Sequence, residues 1–521
     1  MQVEFNENFS KTTLDFYVES DIIKEESHRL FYIGSAAFHL RFFIFMDLLC
    51  GLKGAVFMAK GNDLRNDSVF SLVLKLTIPA QLAQLVNVLY GIIDRMFIGH
   101  IPEVGDVALA GVGVCGPIVT LLSSFGTLVG IGGSIMMATD MGRGNDEKAK
   151  KILSNSFLLL LIFSTILTTV LLLTKEKMIY LFGGSDTTFP YANTYLTIYT
   201  LGTFFALLAL GLNYFISCQG FSFNGMITVF IGAISNIILD AVFVFGLQKG
   251  VAGAALATVI SQFLSCLYAL LFLLGKKVKI RLSFGNYDRK LILKIICLGF
   301  SPFVILATDS VIVIAMNIAL QKYGGDQGDL LISAVTITQS YFLLITGPLI
   351  GISGGVQPLI SFNFGAAQAG RVKKAIKYAL GLGLVLTSSM FVVSRLFADK
   401  FVNLFIDNAE TASISIWGIQ IFTLAIVPLA FQYVLVDALT ALGRIKTALY
   451  LSVTRKLSFL IFTFVFAALS VAQNAFYAEP VSDLLSSIQS TIVFLLVFKK
   501  HLQKYIPEMP KPDPDSLPCK K

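Results

Sequence analysis

Residues 72–98 read LVLKLTIPAQLAQLVNVLYGIIDRMFI, a run of 27 residues in which only Lys75, Asp94 and Arg95 are charged. As an α-helix this run is about 40 Å long, more than the roughly 30 Å hydrocarbon core of a bilayer. Eleven further apolar runs follow it, at 107–138, 152–174, 192–217, 226–246, 250–275, 292–320, 330–362, 375–398, 411–440, 447–471 and 482–498. In lipid every backbone polar group needs an internal partner, so such segments are helices or the strands of a closed barrel. Barrel strands would alternate in hydropathy over about ten residues, and no such alternation is present. The whole chain, 521 residues, is 55% hydrophobic and only 14% charged, where a soluble protein is about a quarter charged. A cytosolic enzyme, a secreted disulfide scaffold and a disordered chain are excluded.

Loop charge gives the orientation. Seventeen Lys and Arg residues lie in the loops after segments 2, 4, 6, 8 and 10, from Arg143 to Lys446, against six in the odd-numbered loops. Basic loops stay in the cytoplasm, so both ends of the twelve-helix unit are expected there. The same bias accounts for the net charge of +8 without a nucleic-acid partner. The six cysteines lie singly, five in or beside apolar runs, and read as small hydrophobes. The four histidines are isolated and give no zinc site.

A second pattern sits on top of the first. Pro79 in LTIPAQLAQ and Pro302 in LGFSPFVIL are 223 residues apart. The same shift takes Gly132 to Gly355, Gly142 to Gly365, Lys150-Lys151 to Lys373-Lys374, Leu181-Phe182 to Leu404-Phe405 and Gly220 to Gly443. The expected fold is therefore an all-α polytopic membrane protein, its twelve transmembrane helices forming two six-helix pseudo-symmetric lobes. Six is even, so the halves enter the membrane in the same sense, the parallel arrangement of transporters whose site lies between repeats. The expected boundaries are 1–68 for an N-terminal extension, 69–275 for the first lobe and 276–291 for a basic cytoplasmic linker. The second lobe takes 292–500 and a cytoplasmic tail 501–521. Residues 30–49 are apolar enough for a thirteenth span, but the preferred reading of residues 1–57 is a start assigned too far upstream, with Met58 as the expected beginning.

Ionisable groups inside an apolar helix are costly and mark functional sites by default. Asp94 on segment 1 follows Tyr90 by four residues, and Asp240 on segment 5 follows Asn236 by four. Each pair shares one helix face. Both acids, and Thr258 on segment 6, lie at similar depth in the outer half of the first lobe. Tyr90, Asp94, Asn236, Asp240 and Thr258 are thus placed to form one polar cluster. Across the repeat Asp94 becomes Asn317 and Asp240 becomes Thr463, so the architecture does not need the acids. A poorly hydrated carboxylate favours its protonated form and can carry a proton. Two carboxylates with amide and hydroxyl oxygens equally suit Na⁺. The residues leave both open.

Read together, LTIPAQLAQ…YGIIDRMFIG, GRGNDEKAKK, NIILDAVFVFG…GAALATVISQ and GGVQPLISFNFGAA resemble the multidrug and toxic compound extrusion (MATE) family, in its DinF/MepA-type bacterial branch, over about residues 58–500. The resemblance implies cation coupling through Tyr90, Asp94, Asn236, Asp240 and Thr258, and a helix-bending role for Pro79. The NorM branch of the family places acids in the second lobe instead. Asp309 on segment 7 lies in that lobe but without a matching motif, and reads either as a cavity anion or as a buried hydrogen-bonded group. Gln339, Gln357 and Asn363 either line the cavity or bond across helices. Asp437 is expected to pair with Arg444 or Arg455, and Asp140 to be solvated at a loop margin.

The function so implied is a cation-coupled antiporter, driven by H⁺ or Na⁺, that exports amphipathic and often cationic compounds across the bacterial inner membrane. It needs no cofactor, no metal beyond a coupling ion at Asp94 and Asp240, and no ATPase subunit, since no G-x-x-x-x-G-K-[ST] occurs. Its partners are drug-like small molecules and the bilayer, and it works as a monomer. One rival is a lipid-linked saccharide flippase of the same superfamily, which would place basic residues in the cavity, whereas few Lys or Arg lie mid-segment here. Another is an intramembrane enzyme, for which no nucleophile–base motif exists.

Overall fold

A computed structural model describes residues 62–505, apart from His100, Glu103, Gly183, 404–408 and Ser470. The Met58 question, Leu404-Phe405 and most of the tail lie outside the described residues. Twelve helices are long and apolar enough to cross a membrane. They are α1 Val69–Gly99, α2 Val107–Gly142, α3 Asp146–Leu181, α4 Phe189–Cys218, α5 Ser222–Gly246 and α6 Gly250–Leu274. After the linker come α7 Arg289–Gly324, α8 Leu330–Gly365, α9 Ala369–Val402, α10 Ala409–Ala441, α11 Ile445–Leu469 and α12 Ala472–Phe498. No strand occurs among the described residues.

Several helices outrun their apolar cores. α3 starts six residues before its apolar run because Asn145 caps it, its side chain accepting from the Lys148 amide at 3.1 Å, with Asp146 and Glu147 in the first turn. Such caps satisfy orphan amides, and acids there complement the helix dipole. Hydropathy is blind to both. The repeat reaches into the turns: Gly220 and its counterpart Gly443 both adopt left-handed backbone after a helix end, with φ of +88° and +75°, where glycine carries no Cβ penalty.

The lobes meet through glycine. A Cβ on Gly142 would fall on the Phe362 carbonyl, and one on Gly365 would fall on the Thr139 carbonyl. A shift of 223 converts either contact into the other, so they are two copies of one contact across a pseudo-twofold axis. Gly132 likewise abuts Ile295 and Gly299, the turns before Pro302, while Gly355 abuts Leu76 and Thr77, the turn before Pro79. Small residues let helix backbones approach closely where lipid offers no hydrophobic drive. All these contacts fall on the halves of α1, α2, α7 and α8 nearer the basic, even-numbered loops. Phe125 of α2 adds an edge-on ring contact to Phe303 of α7 at 4.8 Å.

The segments leading into α1 and α7 tie the same side. Arg371 donates to the Leu64 and Asp67 carbonyls (3.1 and 2.8 Å), so the lead-in of the first lobe is held by the second. The linker before α7 is held by the first lobe. Gln219 exchanges two bonds with the Ile280 backbone, and Asn155 accepts from the Asp288 amide at 2.8 Å.

Because Gly299 meets the Leu128 carbonyl, Gly299→Val is expected to force α2 and α7 apart. Ser134→Cys, a probe on α2 where the native serine is 5% exposed, should then be alkylated at least tenfold faster by a maleimide. An unchanged rate would show that the helices accommodate a side chain there.

Candidate functional site

Helices α1, α5 and α6 bring the five expected residues of the first lobe together. Asp94 is 9% exposed and Asp240 fully buried, and Asn236 and Thr258 are buried with them. The two carboxyl groups lie within hydrogen-bonding reach of each other. Tyr90 lies one turn before Asp94 on α1, near enough to both acids to feel their charge. Asn236 Nδ2 donates to Thr258 Oγ1 at 3.3 Å, and Thr258 spends its own hydrogen on the Ala254 carbonyl at 3.1 Å. Phe97 and Phe245 pack together nearby at 5.6 Å, next to the apolar cluster of Ile98 and Val244.

The cluster is short of hydrogen. Asp94 Oδ1, Asn236 Oδ1 and both Asp240 oxygens are buried with no donor among the described residues. Ionised carboxylates only accept, and a buried acceptor left unmatched costs about 1–3 kcal/mol. A single proton between the acids would supply one missing donor. A hard monovalent cation would satisfy several of the oxygens at once, since carboxylate, amide and hydroxyl oxygens are the ligands such ions take. The chain fits either guest.

The backbone carries a further signal. α5 is α-helical through Asp240, and Ala241–Gly246 then forms a π-helical turn. Such turns recur at functional sites, and this one begins at the second acid. Sequence reading also missed Tyr195 and Tyr199 of α4. They stack at 6.2 Å, Tyr195 near enough to Asp94 and Tyr90 to interact with them electrostatically, and Gln262 donates to the Tyr199 hydroxyl at 3.4 Å. Their spacing of four residues is the same one-face signal that marked Tyr90 and Asp94.

The remaining candidates separate. Pro79 is buried inside α1, one turn from the Gly355 contact. Asn363 bonds across elements: its amide donates to the Leu359 and Leu64 carbonyls while Arg371 donates to its oxygen at 2.8 Å. Gln357 lies with Ser353 within hydrogen-bonding reach of Asp437, and Gln339 is half-buried farther along α8. Asp140 is not solvated but 3% exposed, with Lys148 at 3.0 Å and Arg143 at 3.5 Å. Its burial at the end of α2 requires those counter-charges.

The second lobe is richer in charge than its sequence suggested. Arg455 of α11 does not pair with Asp437. It bridges Glu479 at 3.0 Å and Asp483 at 2.7 Å on α12, and its guanidinium lies over the Tyr433 ring. Its neighbour Lys456 is ion-paired with Asp309 of α7, a charged partner on another helix. Basic residues do therefore lie mid-span, each matched to acids on a neighbouring helix.

The protein-family model MatE matches residues 79–242 and 304–472, one block in each repeat. The chain is 25% identical over 438 residues to the Multidrug export protein MepA of Staphylococcus saprophyticus subsp. saprophyticus, covering 82% of this chain and 94% of that protein. It is 22% identical over 435 residues to the protein of the same name from Staphylococcus aureus, again covering 82% and 94%. Among solved structures, an outward-facing multidrug resistance MATE family transporter of the MOP superfamily superposes with a TM-score of 0.80 at 19% identity, over 86% of this chain and 99% of that one. A MOP superfamily transporter from Pyrococcus furiosus gives 0.79 at 19% identity, over 85% and 99%.

Proposed function

The chain belongs to the MatE family, and from that premise we propose that it is a cation-coupled antiporter that exports amphipathic, often cationic compounds from the cell. It is a transporter and not an enzyme. The observation that carries the coupling reading is the pair Asp94–Asp240, two buried acids in mutual reach with three of their oxygens lacking a donor. Such a pair takes up H⁺ or Na⁺ when it opens to the outside and gives it up when it opens to the cytoplasm. Coupling follows if the loaded and empty pairs favour different arrangements of the lobes, since a ligand with equal affinity for both shifts nothing. Asn236 and Thr258 would orient the acids, Tyr90 would guard their access, and Pro79 would let α1 bend as the pair loads.

With the basic loops in the cytoplasm, the glycine contacts close the cytoplasmic side. The cleft between lobes then faces outward, with drug-like molecules released there and the bacterial cytoplasmic membrane as the setting. The protein acts as a monomer, since each lobe already has its partner within the chain.

The test is dye efflux by the purified protein in liposomes, with H⁺ and Na⁺ gradients imposed separately. One gradient is expected to drive efflux and its collapse to stop it. Efflux that runs equally well with neither gradient would sink the coupling.

A further inference from the structure

Lys456 and Asp309 stand apart from the first-lobe pair. Both lie near the middle of their helices, Lys456 on α11 and Asp309 on α7. The Asp309 side chain is 46% exposed, and a carboxylate at that depth faces water or a polar cavity, not lipid. The stem of Lys456 forms part of the wall of a cavity of about 90 Å³ between α7 and α11, lined otherwise by residues such as Val304, Ile305, Val311, Leu457 and Leu460. Neither charge has a counterpart in the first lobe, where the repeat places Val86 and Ala233.

We propose that Asp309 is a substrate-cation site whose resident occupant is the Lys456 ammonium, a tethered counter-ion that a lipophilic monocation displaces while its apolar arm enters the α7–α11 cavity. Charge balance favours the exchange. Arg455 with Glu479 and Asp483 carries a net charge of −1, and both acids stand close enough to Lys456 to interact with it. When Lys456 leaves Asp309 it neutralises that triad, and the incoming cation neutralises Asp309. With Lys456 on Asp309 the five groups sum to −1, left on the triad, and with the cation bound they sum to zero, so the exchange removes an unmatched charge. Lysine suits the task as a point charge on a flexible stem, whereas Arg455 is fixed by two carboxylates. A quaternary ammonium or phosphonium cannot donate a hydrogen bond, so one carboxylate beside apolar walls meets its needs.

The substrate class rests on the export reading, but binding can be measured without transport. The probe is radiolabelled tetraphenylphosphonium, bound at equilibrium to the purified full-length protein. Lys456→Met should bind it at least tenfold tighter than the parent, Asp309→Asn at least tenfold weaker, and the double variant as weakly as Asp309→Asn. Lys456→Gln gives the same reading should Lys456→Met fail to accumulate. Unchanged or weaker binding by the Lys456 variants, or parental affinity in the double variant, would overturn the proposal. That order of affinities in a protein that exports nothing would support the site and refute the export reading. Gradient-driven export with affinities indifferent to Lys456 would do the reverse.

Discussion

Asp240→Asn is expected to reduce ion-driven efflux to background while leaving the protein in the membrane at parental abundance and no less stable. Both carboxylate oxygens of Asp240 are buried without donors, so when it holds neither proton nor cation the pair carries two negative charges in poorly solvated surroundings. Asparagine keeps the shape, removes one charge and brings an amide that can donate to Asp94. Relief of an unmatched buried acceptor is worth about 1–3 kcal/mol, so the thermal midpoint should hold or rise. Loss of function together with retained or increased stability separates a coupling residue from a structural one. Asp94→Asn should behave likewise. Parental efflux from both neutral variants would refute the mechanism, and a marked drop in stability would recast the acids as structural.

Arg455→Leu is expected to be the most destabilising single change in the second lobe. Among the described residues Arg455 is the cation that bridges Glu479 and Asp483, and its loss leaves two carboxylates side by side in the bundle. Breaking a buried pair by removing one partner costs about 3–5 kcal/mol, enough to remove much of the folded protein from the membrane. A size-exclusion assay after heating reads this directly. Arg455→Lys keeps the charge without the fork that reaches both acids, and should fall between. Adding Glu479→Gln and Asp483→Asn to Arg455→Leu should recover most of the stability, because neutral groups of the same shape need no counter-ion. An Arg455→Leu protein as heat-resistant as its parent would show the network to be dispensable.

These two clusters also mark how far the sequence could be read. Asp94 and Asp240 stood out because each is an acid inside an apolar run with a polar residue four positions before it, and because the repeat replaces both with neutral residues. Arg455 and Asp483 are also inside apolar runs, but they lie 28 positions apart, and only the packing of α11 on α12 pairs them. The Asp309–Lys456 pair depends in the same way on α7 meeting α11. Helix number followed from hydropathy, since segments long enough to span leave the backbone no other choice. Helix ends did not, because a cap such as Asn145 lies outside the apolar run it terminates. The π-helical turn after Asp240 leaves no mark on composition or periodicity.

The reciprocal glycine contacts have one more consequence. Gly142 on Phe362 and Gly365 on Thr139 are what an isologous interface shows, in which residue i of one subunit meets residue j of the other and j meets i. The chain is thus built as a homodimer would be, within one polypeptide. A true homodimer could not place two acids in one subunit without placing them in both, nor give only one subunit a lysine-capped aspartate. Covalent linkage lifts that constraint, and each lobe can specialise while the seam between them stays symmetric.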